Sequence, residues 1–404
     1  MKAPLARGAS RFQLFRFFYL FYNKCVAFFS FKKKEEYFLV LDLSSSSVGG
    51  ALVLKEEGNV PLILYTSRKK VFSKPDSEIM AISKNMQKII HEVCEDVRRN
   101  TKVVPEKIFC TLATPWAYGE FRSIKYESKD NFKFKDSLIQ NLLDDEIKSF
   151  KEEWTGLRQI IDRRIIKITL NGYKVENPVG KMAKTLTLDV FLSFSLENLI
   201  FDIEDTIHKT FKAKIKFTSQ MFTDFIVVRN ISDLQNDFII LNFGEDVSEV
   251  TIMKDDFMSG TAFFPYGFNS IIKTVSNISQ KSSHEVKSLF NLYHGGYLSG
   301  PEHEKFTLSA HQAGLLWYGE FRNALLDLVP TRYLPNHVFL TGNIEMKNWI
   351  ENYIEKTVPE FTTLHNNFNV IIGDSRTLHP FVEFAENVDR DQPLAMKAIF
   401  INHI

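Results

Sequence analysis

A strand–turn–strand unit occurs twice in this chain, about 200 residues apart, and it narrows the possible folds more than any other feature. The first copy reads Tyr37–Leu43, a polar turn Ser44–Ser47, and Val48–Leu54. The second reads Asp237–Asn242, a turn at Gly244, and Glu249–Lys254. Each arm is a short run of large apolar and β-branched residues bounded by turn formers, the pattern of a buried strand. A third strand, Val60–Tyr65, follows the first copy across Glu56–Asn59. Next comes an amphipathic helix of about two dozen residues, with Ile79, Ile82, Met86, Ile89, Val93 and Val97 at three- and four-residue steps, and then a strand Lys107–Leu112. The second copy leads into a mainly helical stretch over 273–334, where Leu315, Trp317, Phe321, Leu325 and Leu328 recur. A strand His337–Leu340 then ends in Thr341-Gly342-Asn343 and gives way to another helix. Two such units predict a duplicated α/β architecture with a cleft between the halves.

The segment between the copies has a different texture. Over about 121–215 it predicts strands Ile165–Leu170 and Thr185–Ser195, a turn at Asn171-Gly172, and a helix Leu196–Phe211, an inserted α+β unit. Charge divides the chain elsewhere. Residues 1–34 carry eight Lys/Arg and no Asp/Glu, so the remaining 42 basic and 49 acidic residues leave the body at −7. A mildly acidic body excludes a general nucleic-acid binder. Three separated cysteines, Cys25, Cys94 and Cys110, exclude a disulfide scaffold and a C-x-x-C metal site. With 37 Phe, the cores are expected to be aromatic-rich. His303, between Glu302 and Glu304, is expected in a solvated acidic turn rather than at a metal.

The arm itself is aromatic and basic. On a helix over 12–31, Gln13, Arg16, Asn23 and Lys24 gather on one side and Phe15, Phe18, Tyr22 and Phe29 lie around the other; Lys32, Lys33 and Lys34 follow. Arg16, Phe17, Phe18, Phe21 and the three lysines suit a helix lying in the interface of an anionic membrane. A spanning anchor with a snorkelling arginine, a signal-like segment and a start codon placed too far upstream are the alternatives.

Three turns carry chemical meaning. Asp42-Leu43-Ser44-Ser45-Ser46-Ser47 offers hydroxyls and backbone N–H groups to phosphate, with a carboxylate at the mouth to hold a hydrated Mg²⁺. Asn242-Phe243-Gly244-Glu245-Asp246-Val247-Ser248 occupies the same place in the second copy, and Leu340-Thr341-Gly342-Asn343 lets the chain approach a base closely. In this order the three turns resemble the actin-like ATPase superfamily, and within it the bacterial cell-division protein FtsA, over roughly residues 36–400. The first phosphate loop of that family, D-[IL]-G-[ST]-[ST]-[SK]-[VI], is similar to Asp42–Val48; its second, D-I-G-G-G-T-T, to Asn242–Ser248; its adenosine motif, T-G-G, to Thr341–Asn343. Ile168–Gly172 with Asn177-Pro178-Val179-Gly180 resembles the hairpin of FtsA's extra subdomain, called 1C. The type IV pilus protein PilM shares the architecture without, as a rule, the N-P-x-G element.

The resemblance implies a division of the chain into an arm (1–35), a subdomain 1A (36–120), a 1C-like insert (121–217), a return helix (218–236), a subdomain 2A (237–272), a helical 2B-like subdomain (273–334) and a final segment (335–404). It implies ATP and Mg²⁺ as cofactors, held by Asp42 (through water), Ser44, Ser45, Ser46, Ser47, Asn242, Gly244, Ser248, Thr341, Gly342 and Asn343, with Glu285 and Lys287 echoing an A-E-x-x-K helix. The implied partners are a tubulin-like FtsZ polymer, further copies of the chain, and the inner face of the bacterial cytoplasmic membrane. A PilM-like scaffold, binding a short peptide of a membrane partner in the groove between subdomains, is the alternative.

The departures from the family pattern matter as much. Ser44 stands for a glycine, Asn242 for an aspartate, Glu245 and Asp246 for glycines, Val247 for a threonine and Asn343 for a glycine. Two carboxylates in a phosphate loop repel phosphate, and a missing Asp removes a group that positions Mg²⁺ and water. The residues therefore predict a degenerate nucleotide site without hydrolysis. For the arm, the interfacial reading predicts that the full chain co-sediments with anionic vesicles and that a truncation beginning at Glu35 stays in the supernatant. Salt should weaken the binding, at about 1 kcal/mol per Lys/Arg near the surface. Equal sedimentation of both forms would sink it, and release by detergent alone would mean a spanning helix.

Overall fold

A computed structural model of the chain describes residues 35–71, 79–153, 158–232, 237–254, 257–328, 334–342, 346–355 and 368–403. The expected membrane residues Arg16, Phe17, Phe18, Phe21, Lys32, Lys33 and Lys34, and Asn343 of the third turn, lie outside them.

The first sheet grows from β1 (Glu35–Leu43), β2 (Ser47–Glu56) and β3 (Leu62–Lys70), followed by helix α1 (Ile79–Thr101) and β4 (Lys107–Leu112). The chain then leaves this sheet for β5 (Tyr118–Lys133), α2 (Asp136–Glu153), β6 (Arg158–Leu170), the short β7 (Tyr173–Lys174) and β8 (Met182–Leu196). These four strands form an antiparallel sheet in the order β5-β8-β6-β7. Asn171 and Gly172 both take positive φ (49° and 84°) at the turn between β6 and β7, as an Asn-Gly hairpin turn requires. After α3 (Glu197–His208) the chain returns in β9 (Lys214–Ser219), which runs parallel to β4. The expected insert at 121–217 thus contains the antiparallel sheet, while its last helix and strand belong to the first half: α3 buries Leu199, Ile200, Ile203 and Ile207 against the core around Val93 and Val97 of α1.

Helix α4 (Gln220–Ile231) leads into the second sheet, built from β10 (Phe238–Phe243), β11 (Ser248–Lys254) and β12 (Phe257–Phe264). Three helices follow, α5 (Phe268–Ser279), α6 (Ser283–His294) and α7 (Gly300–Leu328). His303 lies in the first turn of α7, stacked on Tyr293 at 5.7 Å, so the acidic turn expected there is helix. Strands β13 (His337–Gly342) and β14 (Asn369–Ile372), separated by α8 (Lys347–Glu355), complete the sheet. The chain closes with α9 (Ser375–Leu378), β15 (Glu383–Phe384) and α10 (Gln392–Asn402).

The strand orders give the duplication. The first sheet reads β15-β3-β2-β1-β4-β9 and the second β12-β11-β10-β13-β14. In each, three strands consecutive in sequence lie side by side, and two more join parallel to the first of them through helical crossovers. The two hairpins even share one burial pattern, three buried residues on either side of four half-buried ones at 44–47 and 244–247.

Helices α4 and α10 pack between the two halves. Phe222, Phe225 and Val228 of the one, with Leu394, Ala398 and Phe400 of the other, share a core with Phe38 and Val40 of β1 and with Ile240 and Phe339 of the second sheet. A helix apolar all round belongs inside, and α10 is buried from Leu394 to Ile401. Its single charged side chain there is Lys397.

The inserted sheet has its own core, with Ile139 and Leu143 of α2 over Leu186, Leu188 and Leu192 of β8. Asp162 fastens it to the first half. A bulge between Ile160 and Asp162 breaks the β6–β8 register, and the carboxylate accepts from Ser193 Oγ (2.5 Å), Ser219 N (2.8 Å), Ser219 Oγ (3.0 Å) and Thr218 Oγ1 (2.9 Å). Hydrogen bonds to a charged group contribute about 1.5–3 kcal/mol each, and the buried donors would lose their acceptor. Asp162→Ala should therefore cost about 3 kcal/mol or more in urea unfolding, and Asp162→Asn, which keeps an acceptor, distinctly less. Equal unfolding midpoints for the two variants would contradict this role.

Candidate functional site

The carboxyl ends of β1, β4, β10 and β13 converge, and in open α/β sheets that end is where ligands bind. Between them lies a cleft of about 290 Å³ with Ser44, Ser45 and Ser47 of the first turn on one wall and Gly244, Glu245 and Val247 of the second on the other. Each turn is closed by its own backbone. Ser44 N donates to Ser47 O at 3.0 Å and Gly244 N to Val247 O at 3.1 Å. A side chain at Gly244 would collide with the Val247 carbonyl, and one at Gly342 (φ 92°) with that of Phe243, so both positions require glycine.

The structure brings most of the expected residues to this cleft. Asp42, Ser44, Ser45, Ser47, Asn242, Gly244 and Gly342 line it. Ser46 contributes a carbonyl to Val71 N, 2.7 Å away. Ser248 is buried and donates to Tyr266 O at 2.8 Å, and Thr341 Oγ1 donates to Asp224 Oδ2 at 3.3 Å. Glu285 and Lys287 are not among the lining residues. Glu285 closes a capping box with Ser282 at the start of α6, and Lys287 Nζ sits 5.0 Å from the Phe268 ring.

What fills the cleft's polar positions was not legible in the motifs. Asp42, 3% exposed, accepts from Arg68 at 2.7 Å on Oδ2, while Lys397 Nζ stands 3.4 Å from Oδ1. The same ammonium, 2% exposed, lies 3.8 Å from Asp224 Oδ1. Arg68 also reaches Asp391 (2.5 Å) and Ser47 Oγ (2.9 Å). Burial alone would push the Asp42 pKa up, but the charges of Lys397 and Arg68 outweigh it and hold the carboxyl below its usual range. For Asp224 and Glu249, burial prevails and the pKa is raised despite Lys397 and despite the hydrogen bond from Thr114.

Contacts also cross between the walls. Ser45 Oγ donates to Asp246 Oδ2 at 2.6 Å, and Asn269 Nδ2 holds the other oxygen at 2.9 Å. Glu249 of β11 accepts from both the backbone N–H and the hydroxyl of Thr114. Against these groups a hydrated Mg²⁺ does not fit: one oxygen of Asp42 is taken by the guanidinium and the other faces the ammonium. Nor do nucleotide phosphates, because the hydroxyl of Ser45 is spent on Asp246 and the opposite wall carries Glu245 and Glu249. Arg68, Thr114, Asp224, Glu249 and Lys397 all escaped the sequence reading. The one available signal was Lys397 itself, a lone cation in the apolar run Leu394–Ile401.

Removing one partner from a buried charge pair typically costs about 3–5 kcal/mol. Lys397→Met should lose stability of that order in denaturant unfolding near pH 7. The loss has a direction with pH. Asp42, depressed in the folded state, contributes stability above its unfolded pKa of about 3.9, and that contribution fades as pH falls through the lower folded value. The gap between the wild type and Lys397→Met should therefore narrow toward pH 3. A gap constant from pH 7 to pH 3 would show that the ammonium does not serve Asp42.

No family model matches the chain, and no curated protein matches it. Among solved structures it is similar to a PilM-PilN type IV pilus biogenesis complex, with 10% identity over 92% of this chain and 98% of that one and a TM-score of 0.59. It also aligns with the ethanolamine utilization protein EutJ from Carboxydothermus hydrogenoformans, at 10% identity over 91% of this chain and 89% of that one with a TM-score of 0.42. A third match is a Bacteroides thetaiotaomicron protein of unknown function with an actin-like ATPase fold, at 10% identity over 93% and 99% with a TM-score of 0.38. Together with the duplicated sheet order, the likeness to PilM gives the fold: this chain has the actin-like ATPase fold.

Proposed function

We propose that the chain is a non-hydrolysing scaffold of a membrane-associated assembly, and that it captures a short peptide of a membrane partner in the groove between the first half and the inserted sheet. The observation that carries this reading is a contrast. The nucleotide cleft spends its polar groups on one another, whereas a groove of about 350 Å³ beside it is open and largely apolar. Pro115, Trp116, Tyr118, Phe194, Leu196 and Leu199 supply its apolar walls. Lys84 and Arg158 also line it, and the one carboxylate among its described lining residues, Asp202, accepts from Gln87 at 3.0 Å. Apolar walls with a cationic margin suit an extended peptide that offers one or two large apolar side chains and an acidic flank.

Two assemblies fit such a scaffold. A pilus or secretion platform is supported by the likeness to PilM in its complex with PilN. A division adaptor of the FtsA kind, working with a tubulin-like polymer and with further copies of itself, is supported by Asn177-Pro178-Val179-Gly180. Around that hairpin Tyr173, Val179 and Met182 are exposed. Fold alone decides neither. Among the described residues no helix is long and apolar enough to cross a membrane, so attachment in this reading rests on the arm.

Fluorescence anisotropy tests the groove, using peptides tiled across the cytoplasmic tails of membrane proteins encoded beside this gene. One tail is expected to bind, and Asn198→Trp, at the exposed rim of the groove, should weaken it by about tenfold or more, or ~1.4 kcal/mol. Binding that ignores Asn198→Trp would place the site elsewhere, and no binding by any tail would refute peptide capture. Co-sedimentation with the tubulin-like polymer, were it found instead, would favour the division reading.

A further inference from the structure

We infer that the chain latches its own cleft: the Asp246 carboxylate, held by Ser45 and Asn269, together with the Thr114–Glu249 and Asp224–Thr341 contacts, ties the two halves into one fixed closure that needs neither nucleotide nor metal. In a two-halved cleft that binds a ligand, the ligand's anionic groups accept hydrogen bonds from both walls and so hold them together. Here the acceptor comes from the chain. Asp246 Oδ2 lies 2.6 Å from the hydroxyl of Ser45, across the cleft and 201 residues away in sequence, and Asn269 fixes its other oxygen at 2.9 Å. Asn269 is itself positioned by the second turn, since its backbone N–H donates to Glu245 O at 2.7 Å. The acceptor therefore sits on a rigid mount rather than on a free side chain.

Deeper in the cleft the same exchange recurs. The Glu249 carboxylate of the second sheet takes both donors of Thr114, which follows β4 of the first. Asp224 of α4 accepts from Thr341 of β13 at 3.3 Å. Counter-charge for Asp42 comes from Lys397 and Arg68, so that carboxylate is already neutralised without a divalent cation. Hydrogen bonds in a partly dry site are stronger than in water, and several in parallel act together. The departures from the phosphate-loop pattern at Glu245 and Asp246 are on this account replacements rather than losses. The latch holds whatever the neighbouring groove binds.

Hydrogen exchange of the full chain, followed by mass spectrometry, tests it. Amides of the two turns, 42–48 and 242–248, are the probes. In the wild type both should be slow to exchange and unchanged by millimolar Mg-ATP. Ser45→Ala or Asp246→Ala should each speed exchange in both turns, including the turn that carries no substitution, by about tenfold. The double variant should add little to the faster single one, because both remove the Ser45–Asp246 bond. Ser45→Thr, which keeps the hydroxyl, should retain most of the protection. Acceleration confined to the substituted turn would overturn the latch. So would added protection of the wild type by Mg-ATP, a measurement that needs no variant to fold.

Discussion

An ammonium buried between the two halves governs the charges around it. Lys397 enters from a helix that is otherwise apolar and stops 3.4 Å from Asp42 and 3.8 Å from Asp224. Two buried carboxylates so close together would repel each other and the low-dielectric core. The cation makes their burial tolerable, and it does so from the last helix of the chain. The burial of the acidic terminus of the first strand is thereby tied to the docking of α10. This also accounts for the position of α10, wedged between the halves against α4 rather than lying on the surface.

The duplicated units were the legible part of the sequence. β1, β4, β10 and β13 emerged close to their observed bounds because each is a buried run without competing signals. β5 did not emerge. Of its 16 residues only Ile124 is buried, and alternating charge along an exposed strand leaves no hydrophobic period to detect. β12 was hidden for a related reason. Its adjacent phenylalanines divide, Phe264 buried and Phe263 51% exposed, with the Phe263 ring 5.5 Å from that of Tyr118.

At the site, the turns were readable from spacing and the charges that occupy them were not. Asp42 and Asp246 stood out as residues, but their partners come from β3, α10 and the turn of the other half, far away in sequence. A motif holds only neighbours along the chain. Counter-ions assembled by tertiary folding leave no local pattern, and so Glu245 and Asp246 read as damage to a phosphate loop. Glu285 erred in the opposite direction. Its spacing to Lys287 echoed a nucleotide-binding helix, whereas its side chain closes the capping box by accepting from the N-cap Ser282 N–H ahead of α6.

Trp116 occupies a place where two sites share one side chain. Its ring walls the apolar groove, its indole N–H donates to Ser44 O of the first turn at 2.9 Å, and its own carbonyl accepts from Ser195 Oγ at 2.6 Å. A buried indole whose N–H is tied to Ser44 O cannot rotate without abandoning that backbone acceptor. The groove is in consequence a mould rather than a glove. Its shape is set in part by the serine turn next door, so a change in that turn reshapes the groove as well.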